Sequence, residues 1–341
     1  MNQTVQELIK KNPIIAFFGV AIVISFAMLF SGIYFVPRDN TIGQILGYYM
    51  GCIGTYSPVI AAIFITRIIR PGQPRVPFTK KLKISLPVWL IALTINIANL
   101  KLTAPSSASL IGLIILSLPV SLLPAWVIIS AYSGTEGIRK MLKTLVKPGG
   151  HIIYYLIALL TFPVLTIAGV VITNIWNGYA LFPQISQLEN LLLNICITFF
   201  SVLLFSGGLN EESGWRGFPQ LRLQAKYSPL VTAFLMWFLM VIWHIPNDIL
   251  QYQNGGYLLV RIGLYPFITI LFSWIFVRTN GTIWAAAIFH ASMNSMNPLM
   301  GIFPMTTVGN VFLVVFAIVV VIVDRMWRKL PKDHPAVYQE T

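Results

Sequence analysis

The sequence predicts an all-α integral membrane protein, a polytopic helix bundle with about ten transmembrane helices. Of its 341 residues, 57% are hydrophobic and only 10% are charged, and the mean hydropathy is +0.78. A helix needs about 20 apolar residues to cross the hydrocarbon core of a bilayer. Ten stretches meet this requirement, beginning near Pro13, Gly43, Ile84, Ala108, Ile152, Leu191, Leu230, Leu258, Thr282 and Thr307.

The distribution of basic residues predicts the orientation of these helices. The net charge of +13 is carried by short strips between apolar stretches, which favours a role in orientation over nucleic-acid binding. An even number of spans puts both termini on one side. With the N-terminus inside, 20 of the 23 Lys and Arg residues lie on the inner side, and only Arg38, Lys101 and Arg261 lie outside. We therefore expect both termini in the cytoplasm, with no nucleic-acid partner.

Three further segments lead to local expectations. Cys52 and Cys196 lie in apolar stretches without ligand-type spacing, so we expect packing roles for both. Residues 133–148 interleave apolar and basic side chains, a pattern typical of either a basic amphipathic helix on the inner leaflet or an ordinary cytoplasmic loop. The polar tail from Arg325 is predicted to be loose.

Adjacent carboxylates, Glu211 and Glu212, directly follow the mostly apolar stretch 191–209. An ionisable side chain at the centre of a membrane helix costs roughly 2.5–3.5 kcal/mol on insertion scales, and such residues usually mark functional sites. Seven of the ten acidic residues fall in predicted loops, helix ends or tails, which leaves this pair and Asp248. We expect Asp248 to be a polar residue at the outer end of its helix, and a place in the cavity stays open as the alternative.

Candidate partners for the two carboxylates follow in later apolar stretches. Glu211 and His244 reach similar depths if the chain turns near residues 226–229, because each lies about 24 Å from that turn at 1.5 Å per residue. Glu212 and Arg216 are four residues apart, so they can pair on one helix. His290 and Asn294 have the same spacing and share one helical face.

A carboxylate and a histidine in a dry cavity can together take a proton from water, while two donors stabilise the developing oxyanion. Each group also has a structural interpretation. The Glu212–Arg216 pair can be a structural ion pair, His244 a packed histidine at a helix end, and the 290/294 pair a source of hydrogen bonds between helices. The combination with two adjacent glutamates favours hydrolysis.

These motifs resemble those of the CAAX protease and bacteriocin-processing family, whose pattern is E-E-x-x-x-R, then F-x-x-x-H, then H-x-x-x-N/D. The matches are Glu211 to Arg216, His244, and His290 with Asn294, and one position departs, because Met240 stands where the pattern has Phe. The resemblance covers about a third of the chain. It implies an intramembrane endopeptidase in which Glu211 and His244 activate water, His290 and Asn294 form the oxyanion hole, and Glu212 and Arg216 support them.

The resemblance also implies the organisation and partners of the protein. We expect N-terminal helices in residues 1–187, a catalytic core in 188–300, and a last helix and tail in 301–341. The implied substrate is a peptide or protein with a membrane-embedded or lipidated segment. We expect the bundle to lie in a bacterial cell membrane, surrounded by membrane lipid. A metal-free mechanism is favoured, and the alternative is zinc held by Glu211, His244 and His290.

Two other classes of function stay open. A proton-coupled transporter could use the same residues as a proton relay, and would ideally show repeated halves or two matched interrupted helices. A noncatalytic immunity or scaffold protein could keep the fold without the activity.

Overall fold

The computed structural model describes residues 3–34, 41–72, 77–103, 109–179, 188–252, 256–296 and 306–339. Within these ranges all regular structure is helical, which confirms the all-α class. Two short segments are not α-helical: a 3-10 helix at Lys143–Leu145 and a π-helical turn at Arg216–Gln220. The α-helices are α1 Gln3–Lys11, α2 Pro13–Tyr34, α3 Thr41–Thr55, α4 Ser57–Ile69, α5 Phe78–Thr103, α6 Leu110–Val120, α7 Leu122–Ser130, α8 Glu136–Met141, α9 Ile152–Asn177, α10 Leu188–Phe205, α11 Leu209–Trp215, α12 Leu221–Gln224, α13 Pro229–Tyr252, α14 Gly256–Gly263, α15 Tyr265–Arg278, α16 Ile283–Ser295 and α17 Thr307–Val323.

The described chain offers five to seven helical spans, fewer than the ten predicted. Five stretches are long and apolar enough to cross a membrane, and two bent helix pairs raise the number to seven. The segments predicted to begin near Leu258, Thr282 and Thr307 form shorter helices. Of these, α16 has only 13 residues and is largely buried, because its alanines allow neighbouring helices to approach closely.

The two bent pairs, α3 with α4 and α10 with α11, meet at their breaks. The pairs bend by 52° and 41°. Thr55 donates to the carbonyl of Phe205 at 3.3 Å, and its own carbonyl accepts from Asn210 at 2.9 Å. A Cβ at Gly214 would lie 2.3 Å from the backbone of Pro58, so α11 packs directly on α4. Each break therefore supplies hydrogen-bond partners that the other lacks.

The segments predicted to lie on the inner side gather at one end of the bundle. The Trp284 indole donates to the carbonyl of Leu145, and Gly149 N donates to Thr282 Oγ1, both at 2.9 Å. Residues 225–228 form the turn that the sequence predicted between the glutamates and His244. This convergence agrees with one shared side for these loops.

The amphipathic segment 133–148 packs on the protein rather than on lipid. Ile138, Met141, Leu142 and Leu145 are all buried in the core. The inner-leaflet interpretation is therefore wrong, because the apolar face is already covered. The basic side chains between them stay exposed.

The C-terminal tail is docked, and the prediction of a loose tail is wrong. Ala336 and Val337 are buried, and the Tyr338 amide donates to the carbonyl of Leu221 at 3.0 Å. Gly281, with φ +75°, lets the turn before α16 approach the tail, since a Cβ there would lie 3.0 Å from the Pro335 carbonyl. Backbone hydrogen bonds and small apolar side chains hold a segment whose composition is polar.

The docked tail is expected to loosen on acidification. Burial lowers the pKa of His334 from its usual 6.5, partly opposed by Asp333, and His334 Nδ1 accepts from the Ala336 amide at 3.1 Å. The neutral imidazole is the form that can accept. Its stabilising effect is complete above pH 6.5 and is lost as the pH falls from there through the folded-state value.

Limited proteolysis at Lys332, followed by mass spectrometry from pH 7.5 to 5, measures this effect. The wild-type tail should be cleaved faster at low pH relative to a His334→Gln variant, which corrects for the pH dependence of the protease. Equal pH dependence in the two proteins contradicts the assignment.

Candidate active site

The two glutamates lie on α11, a two-turn helix that follows the bend after α10. All seven of its residues are buried. The bend contains Gly207 at φ +143°, a conformation that favours glycine. Asn210 Oδ1 accepts from the Gly207 amide at 2.8 Å, which fixes the bend to the first turn of α11.

Glu212 begins a buried ladder of side-chain hydrogen bonds. Arg216 Nε donates to Glu212 Oε2 at 2.6 Å, as the spacing of four predicted, and both side chains are fully buried. Arg216 Nη1 donates to Gln220 Oε1 at 2.6 Å, and Gln220 Nε2 donates to Gln224 Oε1 at 2.7 Å. The ladder ends on the docked tail, where Gln224 Nε2 donates to the carbonyl of Ala336 at 2.7 Å.

His290 on α16 bonds to the other oxygen of the same carboxylate. Its Nδ1 lies 2.8 Å from Glu212 Oε1. Glu212 therefore joins two residues that the sequence placed in separate motifs. Since the carboxylate accepts at Nδ1, His290 can present a donor at Nε2 only as an imidazolium.

Gly207 lies against Nε2 of the His290 ring. A Cβ at this position would lie 2.4 Å from His290 Nε2, closer than real Cβ contacts come.

Gly207→Ala is expected to displace the imidazole and to lower both the thermal midpoint and any activity at this site. Gly19→Ala, where nothing lies within 4 Å of the added Cβ, is the matched control. Thermal unfolding of both purified variants checks this, and an unshifted midpoint for Gly207→Ala contradicts it.

His244 on α13 has its tautomer set by the backbone. Its Nδ1 lies 2.8 Å from the Met240 carbonyl, so the proton sits on Nδ1 and Nε2 is left as an acceptor. This contact uses the main-chain carbonyl of Met240, so it does not depend on which side chain stands at that position. The preceding Trp243 is anchored by its indole donating to Ser57 Oγ at 3.0 Å.

Glu211 has no part in the ladder. Its side chain is buried, and Oε2 has no hydrogen-bond partner among the described residues. His290 and Glu212 are close enough for their charges to act on it. Asn294 lies one helical turn beyond His290 on α16 and is half-buried. Glu211 is thus a buried carboxylate near His290 with no structural hydrogen bond on that oxygen.

Asp248 and Arg261 form a buried ion pair that the sequence analysis missed. Their side chains are only 2% and 6% exposed, so Asp248 is a buried and paired residue. Arg261 stacks over the ring of Tyr265, and its charge acts on both Glu211 and His244. One feature of the sequence could have indicated that Asp248 lies near the site. It stands four residues after His244, which puts both on one face of α13.

The zinc alternative requires three ligands to converge. Among the residues that the structure describes, no group of three or more His, Cys, Asp and Glu side chains is arranged to hold a metal ion. The Nδ1 contact with Glu212 leaves Nε2 as the nitrogen of His290 that could bind a metal. The arrangement of the described residues does not fit a three-ligand zinc site.

Comparison with known proteins finds a family similarity over the region of this site. Residues 191–296 match the model of the type II CAAX prenyl endopeptidase Rce1-like family. This segment of the chain is therefore similar to the CAAX protease family. The matched segment contains all six predicted site residues. It includes the four groups that the resemblance assigned to catalysis, on three different helices.

A curated relative agrees with this assignment. Over 140 residues the chain is 30% identical to the CAAX prenyl protease 2 of Methanococcus maripaludis, an alignment that covers 38% of this chain. The chain spans about half the length of that relative, 51%. The family similarity covers residues 191–296, the region that carries the site.

Proposed function

We propose that the protein is an intramembrane endopeptidase that hydrolyses a peptide bond in a membrane-associated or lipidated substrate. Glu211 and His244 activate the water molecule, and His290 and Asn294 stabilise the oxyanion. The observation that carries this proposal is that the two glutamates differ in their contacts. One oxygen of Glu212 bonds Arg216 and the other bonds His290, whereas Glu211 has a buried oxygen without a partner in the described residues.

The contacts of each residue support a specific role. Glu211 and the Nε2 of His244 are the two groups that can accept a proton from water, because His244 Nδ1 already donates to a carbonyl. Water adds to the substrate carbonyl as its proton passes to these groups. The proton then passes to the amine as the carbon–nitrogen bond breaks.

The oxyanion donors are held by the ladder. Glu212 orients His290 through Nδ1 and so directs Nε2–H, in the imidazolium, at a developing negative charge. The Asn294 amide lies one turn away on the same helix and supplies the second donor. Arg216 holds Glu212 in place from the other side, at 2.6 Å.

A lipidated peptide library tests the proposal. Full-length protein in detergent micelles is incubated with membrane-anchored peptides, and products are identified by mass spectrometry with and without a strong zinc chelator. We expect new C-termini in the substrates, with resistance to the chelator if the mechanism is metal-free. No product from a library that a related CAAX protease cleaves contradicts the proposal.

Proton-coupled transport stays as a second candidate because of one observation. Two interrupted helix pairs meet at their breaks, as expected for broken-helix transporters. Proton uptake into proteoliposomes, which the Glu211→Gln variant abolishes, would favour transport. Peptide hydrolysis without proton uptake favours the protease.

A further inference from the structure

A cavity of about 460 Å³ opens at the end of the bundle where the loops and the tail converge. Its walls come from the end of α4, the segment 137–149, the start of α12, the turn before α16 and the docked tail. None of the six predicted site residues lines it. The cavity is therefore separate from the candidate active site, although its size suits a small organic ligand.

The walls of this cavity are strongly basic. Among the residues that the structure describes, five cationic side chains line it and no carboxylate does, the five being Arg70, Lys140, Lys143, Lys147 and Arg222. Lys140 is paired with Glu136 at 2.8 Å. The other four are concentrated around a space whose described lining carries no acidic side chain.

Two of the cations are held close together by an aromatic ring. The Arg222 guanidinium lies 3.6 Å from the centre of the Phe218 ring and 4.0 Å from that of Tyr338. Arg70 lies 5.5 Å from the same tyrosine ring, and its charge acts on Arg222. Two like charges held this near each other favour an anion that can bind both.

The two lysines are fixed by the packing of the segment that carries them. Leu142 and Leu145 are buried in the core, which leaves Lys143 and Lys147 exposed along the cavity. The amphipathic pattern of this segment thus serves to hold basic groups at a cavity, with its apolar side against protein.

We propose that this cavity binds the phosphate group of an anionic ligand. Guanidinium groups bind phosphate oxygens in a bidentate manner, lysines add charge, and basic pockets between membrane helices take lipid headgroups. The phosphate can belong to an anionic lipid or to a soluble compound, and the experiment separates these sources. The proposal is independent of proteolysis, because it is tested by binding alone.

Binding is measured on the full-length protein in maltoside micelles by native mass spectrometry. The probes are short-chain phosphatidylglycerol, phosphatidylcholine of the same chain length, and inorganic phosphate with sulfate as its control. The cavity variant is Lys143→Gln/Lys147→Gln. The matched control is Lys10→Gln/Lys11→Gln, which removes the same charge from exposed positions on α1, outside the cavity.

We expect wild type to bind phosphatidylglycerol saturably and in preference to phosphatidylcholine. The cavity variant should bind it roughly tenfold more weakly, and the control variant should match wild type. If inorganic phosphate competes with phosphatidylglycerol and sulfate does not, a soluble phosphate compound is the natural source. If inorganic phosphate does not compete, the lipid is the source. Equal loss in both variants, or no preference for either phosphate probe over its control, overturns the proposal.

Discussion

Replacing Glu211 by Gln is expected to lower peptide hydrolysis by about 10²- to 10⁴-fold, the range typical of a lost general base. The amide keeps the size of the carboxyl group but cannot take the proton of the attacking water. Because one oxygen of Glu211 is buried without a partner in the described residues, the variant should fold at least as well as wild type. Loss of activity without loss of stability is the expected combination.

The measurement compares initial rates on the best substrate of the peptide library with thermal midpoints of the same preparations. Glu136→Gln is the matched control, since it removes a carboxylate that is exposed and paired with Lys140. It should leave the rate unchanged. A Glu211→Gln protein that cleaves at the wild-type rate rejects the catalytic role.

The second large effect is expected at Arg216. Replacing one partner of a buried ion pair leaves the other charge uncompensated, at a cost of about 3–5 kcal/mol. Arg216→Met does this to Glu212, whose side chain is fully buried. It also removes the cation from above the Phe272 ring and a donor from Gln220. Equilibrium unfolding in mixed micelles should show the loss.

A double-mutant cycle separates pairing from simple loss of packing. Glu212→Leu combined with Arg216→Met removes both charges of this ion pair, so the double variant should be less destabilised than the sum of the single changes. Arg67→Met, at an exposed position on α4, is the control and should have little effect. If the losses of stability in the two single variants add up to the loss in the double variant, the two residues act independently.

The sequence predicted those parts of the site that depend on spacing within one helix. Glu212 and Arg216 pair as expected, because residues four apart are neighbours on any α-helix. The turn at 225–228 also follows from its own residues. The family relationship rests on motifs in chain order, so it needs no knowledge of how the helices pack.

Composition alone was a weaker guide to the number of spans and to the tail. Hydropathy finds apolar stretches, but it does not show that α16 is short and surrounded by protein. The tail is polar on average, yet it is held by backbone hydrogen bonds that composition does not register. In both cases the deciding contacts are made with residues far away in the chain.

Hydropathy and helix periodicity were enough to predict the all-helical membrane class, the Glu212–Arg216 pair and the set of polar residues available for chemistry. The contacts between helices were not predictable in this way: Glu212 also bonds His290, 78 residues away, a carbonyl sets the His244 tautomer, and Asp248 pairs with Arg261. The physical reason is that helix geometry fixes neighbours along one helix. Which faces of different helices meet depends on their rotation, tilt and bends, which are set by packing across the whole bundle.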